Sequence, residues 1–193
     1  MKIKTLALGG ALALALGLAG CGAFRPYDTA TMPLTPEGAP VLSQNDAIAL
    51  SSWALKDPAN TAGNPARAAR AIAAEDWLAG QSILYGNFGT YAPGGELSWQ
   101  QFRQQARAAI GVPPNAPSQE LVNRLLAVDV ALKAGQPEAA KAQLAAPIFT
   151  LGPDRTLAAL ANLPKLPGRD WAFAELNRNE DRTFGPPPMS MFH

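Results

Sequence analysis

Residues 118–146 read SQELVNRLLAVDVALKAGQPEAAKAQLAA, and this stretch decides the fold class. Leu121, Val122, Leu125, Leu126, Val128 and Leu132 recur at three- and four-residue intervals. That spacing lines up apolar side chains along one side of an α-helix. Gly135 interrupts the pattern and Pro137 restarts it. A glycine just past a helix adopts the left-handed conformation that ends it, and a first-turn proline sacrifices no hydrogen bond. Glu138, beside that proline, meets the positive end of the new helix's dipole. The stretch therefore predicts two helices, 118–134 and 137–146, in a tight antiparallel hairpin closed by Pro147.

Toward the amino terminus the same grammar repeats. In 97–111, Ser98 and Gln101 stand in capping-box spacing, and Leu97 with Phe102 forms a hydrophobic staple across it. Trp99, Phe102, Ala106, Ala109 and Ile110 continue the apolar side, while Arg103, Gln104 and Arg107 are expected to face solvent. Gly111 should end this helix in the left-handed region, ahead of Pro113-Pro114. A longer helix starts near Asn64, an N-cap residue, with Pro65 at its first position. Ala69, Ile72, Ala73, Trp77, Gly80 and Leu84 share one sector of it, and its small residues invite close approach of a neighbour. Ser43 to Lys56 carries Ile48, Leu50, Trp53 and Leu55 behind Ser43 or Asn45 as cap, and Asp57-Pro58 breaks it.

Between these helices, Tyr85 to Gly95 reads YGNFGTYAPGG. Four glycines and a proline make it a loop, yet it carries Tyr85, Phe88 and Tyr91. Its rings either fold back onto the core or are displayed to a partner. On the carboxyl side, Ile148 and Phe149 plug the core from a connector. Asp154 caps a short helix through Asn162 that carries Leu157 and Leu160. Trp171, Phe173 and Leu176 mark a last packed segment over 170–178. Pro186-Pro187-Pro188 then favours polyproline II, and the tail either frays or docks Met189, Met191 and Phe192 into a groove. The expectation is an all-α, small irregular bundle of about five to seven helices.

The hairpin Leu132–Ala146 resembles the turn and second helix of a tetratricopeptide repeat. On that resemblance Gly135 occupies the inter-helix turn, Ala140 is the small packing residue and Leu144 the large apolar one. Gly63, Pro65, Ala68 and Ile72 repeat part of the pattern 72 residues earlier, near two periods of such a repeat. Arg124 stands where the family has Trp, and Val128 replaces its helix-one Gly. The divergence leaves open whether hairpin repeats or a non-repeating bundle build the domain.

The first twenty-one residues, MKIKTLALGGALALALGLAGC, belong to no fold. Lys2 and Lys4 precede an apolar run over Leu6 to Leu16 that is too short for a comfortable membrane span, the pattern of an export signal. Leu18-Ala19-Gly20-Cys21 resembles the lipobox of bacterial lipoproteins. That resemblance implies cleavage before Cys21 and a diacylglycerol thioether on its sulfur, as would befit a thiol held at the membrane surface. Two acyl chains hold a protein on a bilayer where one does not. Gly22, in place of the aspartate associated with inner-membrane retention, argues for the periplasmic face of the outer membrane. The expected organisation is a signal over 1–20, a lipidated, Pro-rich tether over 21–41 with Phe24 and Tyr27 near the headgroups, a helical domain over 42–178 and a tail over 179–193.

Composition narrows the function. Without Lys2 and Lys4, 14 basic residues face 15 acidic ones, which supplies no electrostatic pull toward nucleic acid. The one cysteine is committed to lipid and the one histidine, His193, is the last residue, so neither a metal site nor a cofactor is expected. Ser51-Ser52 lacks a nucleophile elbow, and no phosphate loop or His-Glu-x-x-His is present. Glu75-Asp76 and Glu180-Asp181 read as solvated charge runs, and Glu96 is the remaining choice for a carboxylate-dependent cell-wall enzyme. The expectation is a non-catalytic, membrane-anchored adaptor for another envelope protein. Tyr85, Phe88, Tyr91, Trp77 and Trp99 are its candidate contacts. A module for a small apolar ligand, lined by Trp53, Trp77, Trp99 and Phe88, is the alternative.

Overall fold

The computed structural model describes residues 28–85 and 95–174, with side chains outside 82–95. Among these residues the chain is all-α. Helix α1 spans Gln44–Ala54, α2 Pro65–Tyr85, α3 Gly95–Ala109, α4 Ser118–Lys133, α5 Pro137–Leu144 and α6 Pro153–Ala161, with a single 3-10 turn over Pro58–Asn60. Residues 168–174 are also helical. None of the described helices is long and apolar enough to cross a membrane.

Helix α2 is the axle. Ala68, Ala69, Ala71, Ile72, Ala73, Ala74, Leu78 and Ala79 are all buried, so it is enclosed on nearly every side, as a central helix must be. It packs against α1, α3, α4 and α6. Alanine on every side lets those neighbours come close, and the larger core side chains arrive from them: Phe102 and Ile110 from α3, Leu121, Val122 and Leu125 from α4, Leu160 from α6.

The expected punctuation is largely in place. The Ser43 and Asn64 side chains accept hydrogen bonds from Asp46 and Arg67 N–H, as N-caps do. Gly111 and Gly135 have φ of 70° and 68°. The amides that follow them, Val112 and Gln136, reach back to Arg107 O and Ala131 O at 2.9 Å, the paired closure of a Schellman motif. Ala140 and Leu144 of the hairpin are fully buried, as are Ala68 and Ile72. The two similar stretches nonetheless sit in different surroundings. Gly135 follows α4 directly and opens an eight-residue helix, whereas Gly63 follows the 3-10 turn and opens one of 21 residues.

Several expectations change. Helix α3 begins at Gly95, so Ser98 lies inside its first turn and does not cap it, and Leu97 is exposed. Gly152, with φ 78°, takes the cap position of α6 and leaves Asp154 in the first turn behind Pro153. Phe173 is buried against the bundle but Trp171 is 65% exposed. The largest change concerns the tether. Residues 28–41 lie on the helices, with Ala30 and Met32 in the core and a two-residue bridge, Leu34 to Pro40, closing a turn at Gly38. We call this segment the strap.

Candidate functional site

The strap explains the most unusual chemistry in the molecule. Glu75 and Asp76, expected on a solvated face of α2, are fully buried, and so are Arg103 and Arg107 of α3, expected in solvent. The α2 carboxylates and the α3 guanidinium groups meet in the core because the two helices pack together here. Asp76 receives Arg107 as a fork: Nε donates to Oδ2 at 2.6 Å and Nη2 to Oδ1 at 3.0 Å. Such bidentate, charge-assisted pairs are the geometry that makes burying an arginine tolerable. The remaining Arg107 donors go to Pro114 O, Ala116 O and Ser118 Oγ, at 2.8, 2.9 and 2.7 Å. Arg107 thereby fastens the α3–α4 connection to α2.

Arg103 completes the cluster and takes hold of the strap. Its Nη2 lies 3.1 Å from Asp76 Oδ1 and 3.2 Å from Asp28 Oδ2, and its Nη1 donates to Asp28 O at 2.9 Å. The Asp28 carboxylate also accepts from Ser118 N and Ser118 Oγ, both at 2.8 Å, so it caps the start of α4 from outside that helix. Thr29 then crosses α2 at Gly80, where an added Cβ would stand 3.2 Å from Thr29 Cα. Next, Gln119 pairs with Thr31 through both ends of its carboxamide: Thr31 N donates to Oε1 at 2.7 Å and Nε2 donates to Thr31 O at 3.0 Å. At the far end, Arg70 bridges Val41 O and the buried Asp129. The strap is thus clipped near its start, at Asp28 and Thr31, and at its end, at Val41, by polar groups.

Glu75 stands apart. Both of its carboxyl oxygens are buried without a hydrogen-bond partner. Burial pushes its pKa well above the ordinary carboxyl value, and the neighbouring Asp76 adds to that, with Arg103 and Arg107 opposing. For Arg107, burial works against the charge, but the hydrogen bond and attraction to Asp76, with Asp28 and Glu75 beyond, outweigh it and hold its pKa above the ordinary value.

The outer side of the strap and α4 forms a groove. One part, about 560 Å³, is open to solvent and lined by Pro33, Val41, Asn123, Leu126, Ala127, Val130, Ala131 and Gln136. Val130 is 63% exposed along it, and Leu34 of the strap is 64% exposed. A second hollow of about 570 Å³, sharing Asn123, continues toward the start of α4 past Pro117, Gln119, Glu120, Arg124 and Gln143.

The residues singled out from sequence are dispersed. Trp99 is buried, its ring centroid 5.2 Å from Phe173 and 6.1 Å from Phe102. Trp77 is half-buried against the core. Trp53 lies half in solvent with the Arg67 guanidinium 5.2 Å above its ring. Tyr85 ends α2, and its side chain, with Phe88 and Tyr91, lies outside the described residues. The same holds for Leu18, Ala19, Gly20 and Cys21. Glu96 is exposed in the first turn of α3. Among the described residues no group of three or more His, Cys, Asp or Glu is placed to hold a metal ion.

One signal pointed to the buried cluster. Trp99, Phe102, Arg103, Ala106, Arg107 and Ile110 alternate at intervals of three and one, so both arginines lie inside the apolar sector. Glu75 and Asp76 are embedded in the densest apolar run of α2. No family model, no curated protein and no solved structure matches the chain.

Proposed function

We propose that the protein is a lipid-anchored adaptor of the bacterial cell envelope, acylated at Cys21, that binds another envelope protein in the groove along α4. The observation that carries the binding half is the groove itself. It is an open, largely apolar hollow with the exposed Val130 on its wall, which suits an extended or helical segment of a protein better than an enclosed small molecule. Its amide groups, Asn123 and Gln136, offer donors and acceptors to a partner backbone. The anchoring half rests on the lipobox resemblance of residues 18–21, with the periplasmic face of the outer membrane as the expected address.

The reading is non-catalytic. Glu75 and Asp76 are enclosed by the core, and Asp76 is saturated by guanidinium groups. The buried cluster acts as a fastening for the strap that forms one wall of the groove.

In-cell photocrosslinking tests the proposal. A photoreactive residue at Val130 should yield one discrete crosslinked envelope protein, and the same probe at Trp53 should not. Identical product patterns at both positions would contradict it.

A further inference from the structure

The anchor and the strap together say how the domain stands on the membrane. Asp28, Thr29, Ala30 and Thr31 are each fixed to the bundle: Asp28 by Arg103 and Ser118, Thr29 against Gly80, Ala30 O by Gln81 Nε2 at 3.3 Å, and Thr31 by Gln119. The chain is therefore fixed to the bundle from Asp28 onward. Only residues 22–27 separate that point from Cys21. Seven peptide units cannot span more than about 25 Å even at full extension.

The contacts also say which end of the bundle this is. Thr29 and Ala30 touch α2 in its last third, and Asp28 caps the start of α4. Toward the other end of α2, Arg70 meets Asp129 of α4, so α2 and α4 run antiparallel. Gly63 and Ala161 meet just beyond the start of α2. From Gly80 back to Pro65 the α2 axis rises about 22 Å. Seven residues of random coil average only about 15 Å end to end, short of that span, so a lipid on Cys21 would favour the end of the bundle where Asp28 sits.

We propose that the face of the domain formed by the end of α2 and the start of α4 is apposed to the lipid bilayer, so that the groove along α4 runs away from the membrane surface. This rests on the reading of Cys21 as acylated. The occupant of that face is the lipid surface, held there by the short leash. The near balance of basic and acidic residues removes any need for anionic headgroups.

Energy transfer from the full lipidated chain to dye-labelled headgroups tests this. Because acylation consumes the natural cysteine, an introduced one is unique: Glu120→Cys marks the start of α4, and Ala62→Cys the far end. On vesicles of phosphatidylcholine alone, transfer from position 120 should be at least about twofold more efficient than from position 62. Adding anionic lipid should leave that ratio unchanged. A flexible Gly/Ser insertion of about twenty residues between Gly22 and Ala23 should abolish the difference. Equal or reversed transfer in bound protein would overturn the orientation, and so would a difference that survives the insertion. Failure of the chain to float with vesicles would instead refute the acylation reading, and the orientation with it.

Discussion

Arg107 is the residue on which most of the interior depends. It touches α2 through Asp76, the α3–α4 connection through Pro114 and Ala116, and the start of α4 through Ser118. Arg107→Ala would leave Asp76 buried with half its partners gone, and breaking such a pair costs about 3–5 kcal/mol. Urea unfolding should show that loss, whereas Arg124→Ala, which breaks a surface pair with Glu120, should change stability by less than about 0.5 kcal/mol. Glu75 makes a separate prediction. Its folded-state pKa lies above the ordinary value of 4.5, so the folded protein holds a proton that the unfolded chain releases. This contribution to stability is intact below that value and is lost as pH rises through the folded pKa. Its slope is at most about 1.4 kcal/mol per pH unit. Glu75→Gln should remove that slope and be relatively more stable at the higher pH. A constant difference between the two proteins across the range would show that Glu75 does not titrate in this way.

At the scale of the elements, the helix ends that were legible are written in local chemistry, Asn64 before Pro65, Gly111 before Val112 and Gly135 before Pro137, whereas the starts of α3 and α6 were misplaced. Gly111 and Gly135 close their helices alike, but a Cβ on Gly111 would stand 2.3 Å from Leu151 Cγ, while nothing lies within 4 Å of one on Gly135. Both alanine variants incur the cost of a left-handed non-glycine residue, about 1–3 kcal/mol. Gly111→Ala should be the more damaging in thermal or urea unfolding, and equal losses would mean that Leu151 moves aside freely. What local chemistry did not reveal was the strap. Pro33, Pro36 and Pro40 read as a linker because nothing near them in sequence says what they touch. The groups that clip the strap, Gln119 at Thr31 and Arg70 at Val41, lie 88 and 29 residues further along the chain. Gln119→Ala should raise the hydrogen-exchange rate of the Thr31 amide without unfolding the bundle. An unchanged rate would mean that the clips at Asp28 and Val41 suffice.

For the whole molecule, the all-α class followed from periodicity alone, and α2 emerged as the axle because alanine on every side permits contact on every side. The buried charges were harder to see. Arg103 and Arg107 occupy apolar positions of α3, yet a lone helix offers no reason to bury an arginine. The reason is supplied by Asp76 on α2 and Asp28 on the strap, which only the assembled fold brings within reach. This arrangement ties the start of the strap into the core, and the strap forms one wall of the groove. The proposed line from anchor to strap to groove would begin with a single covalent modification, at Cys21. Mass spectrometry of the amino-terminal peptide from membrane-extracted protein tests it most directly. The account predicts a chain that begins at Cys21 and carries diacylglycerol on its sulfur; a chain that begins elsewhere, or an unmodified thiol at Cys21, would contradict it.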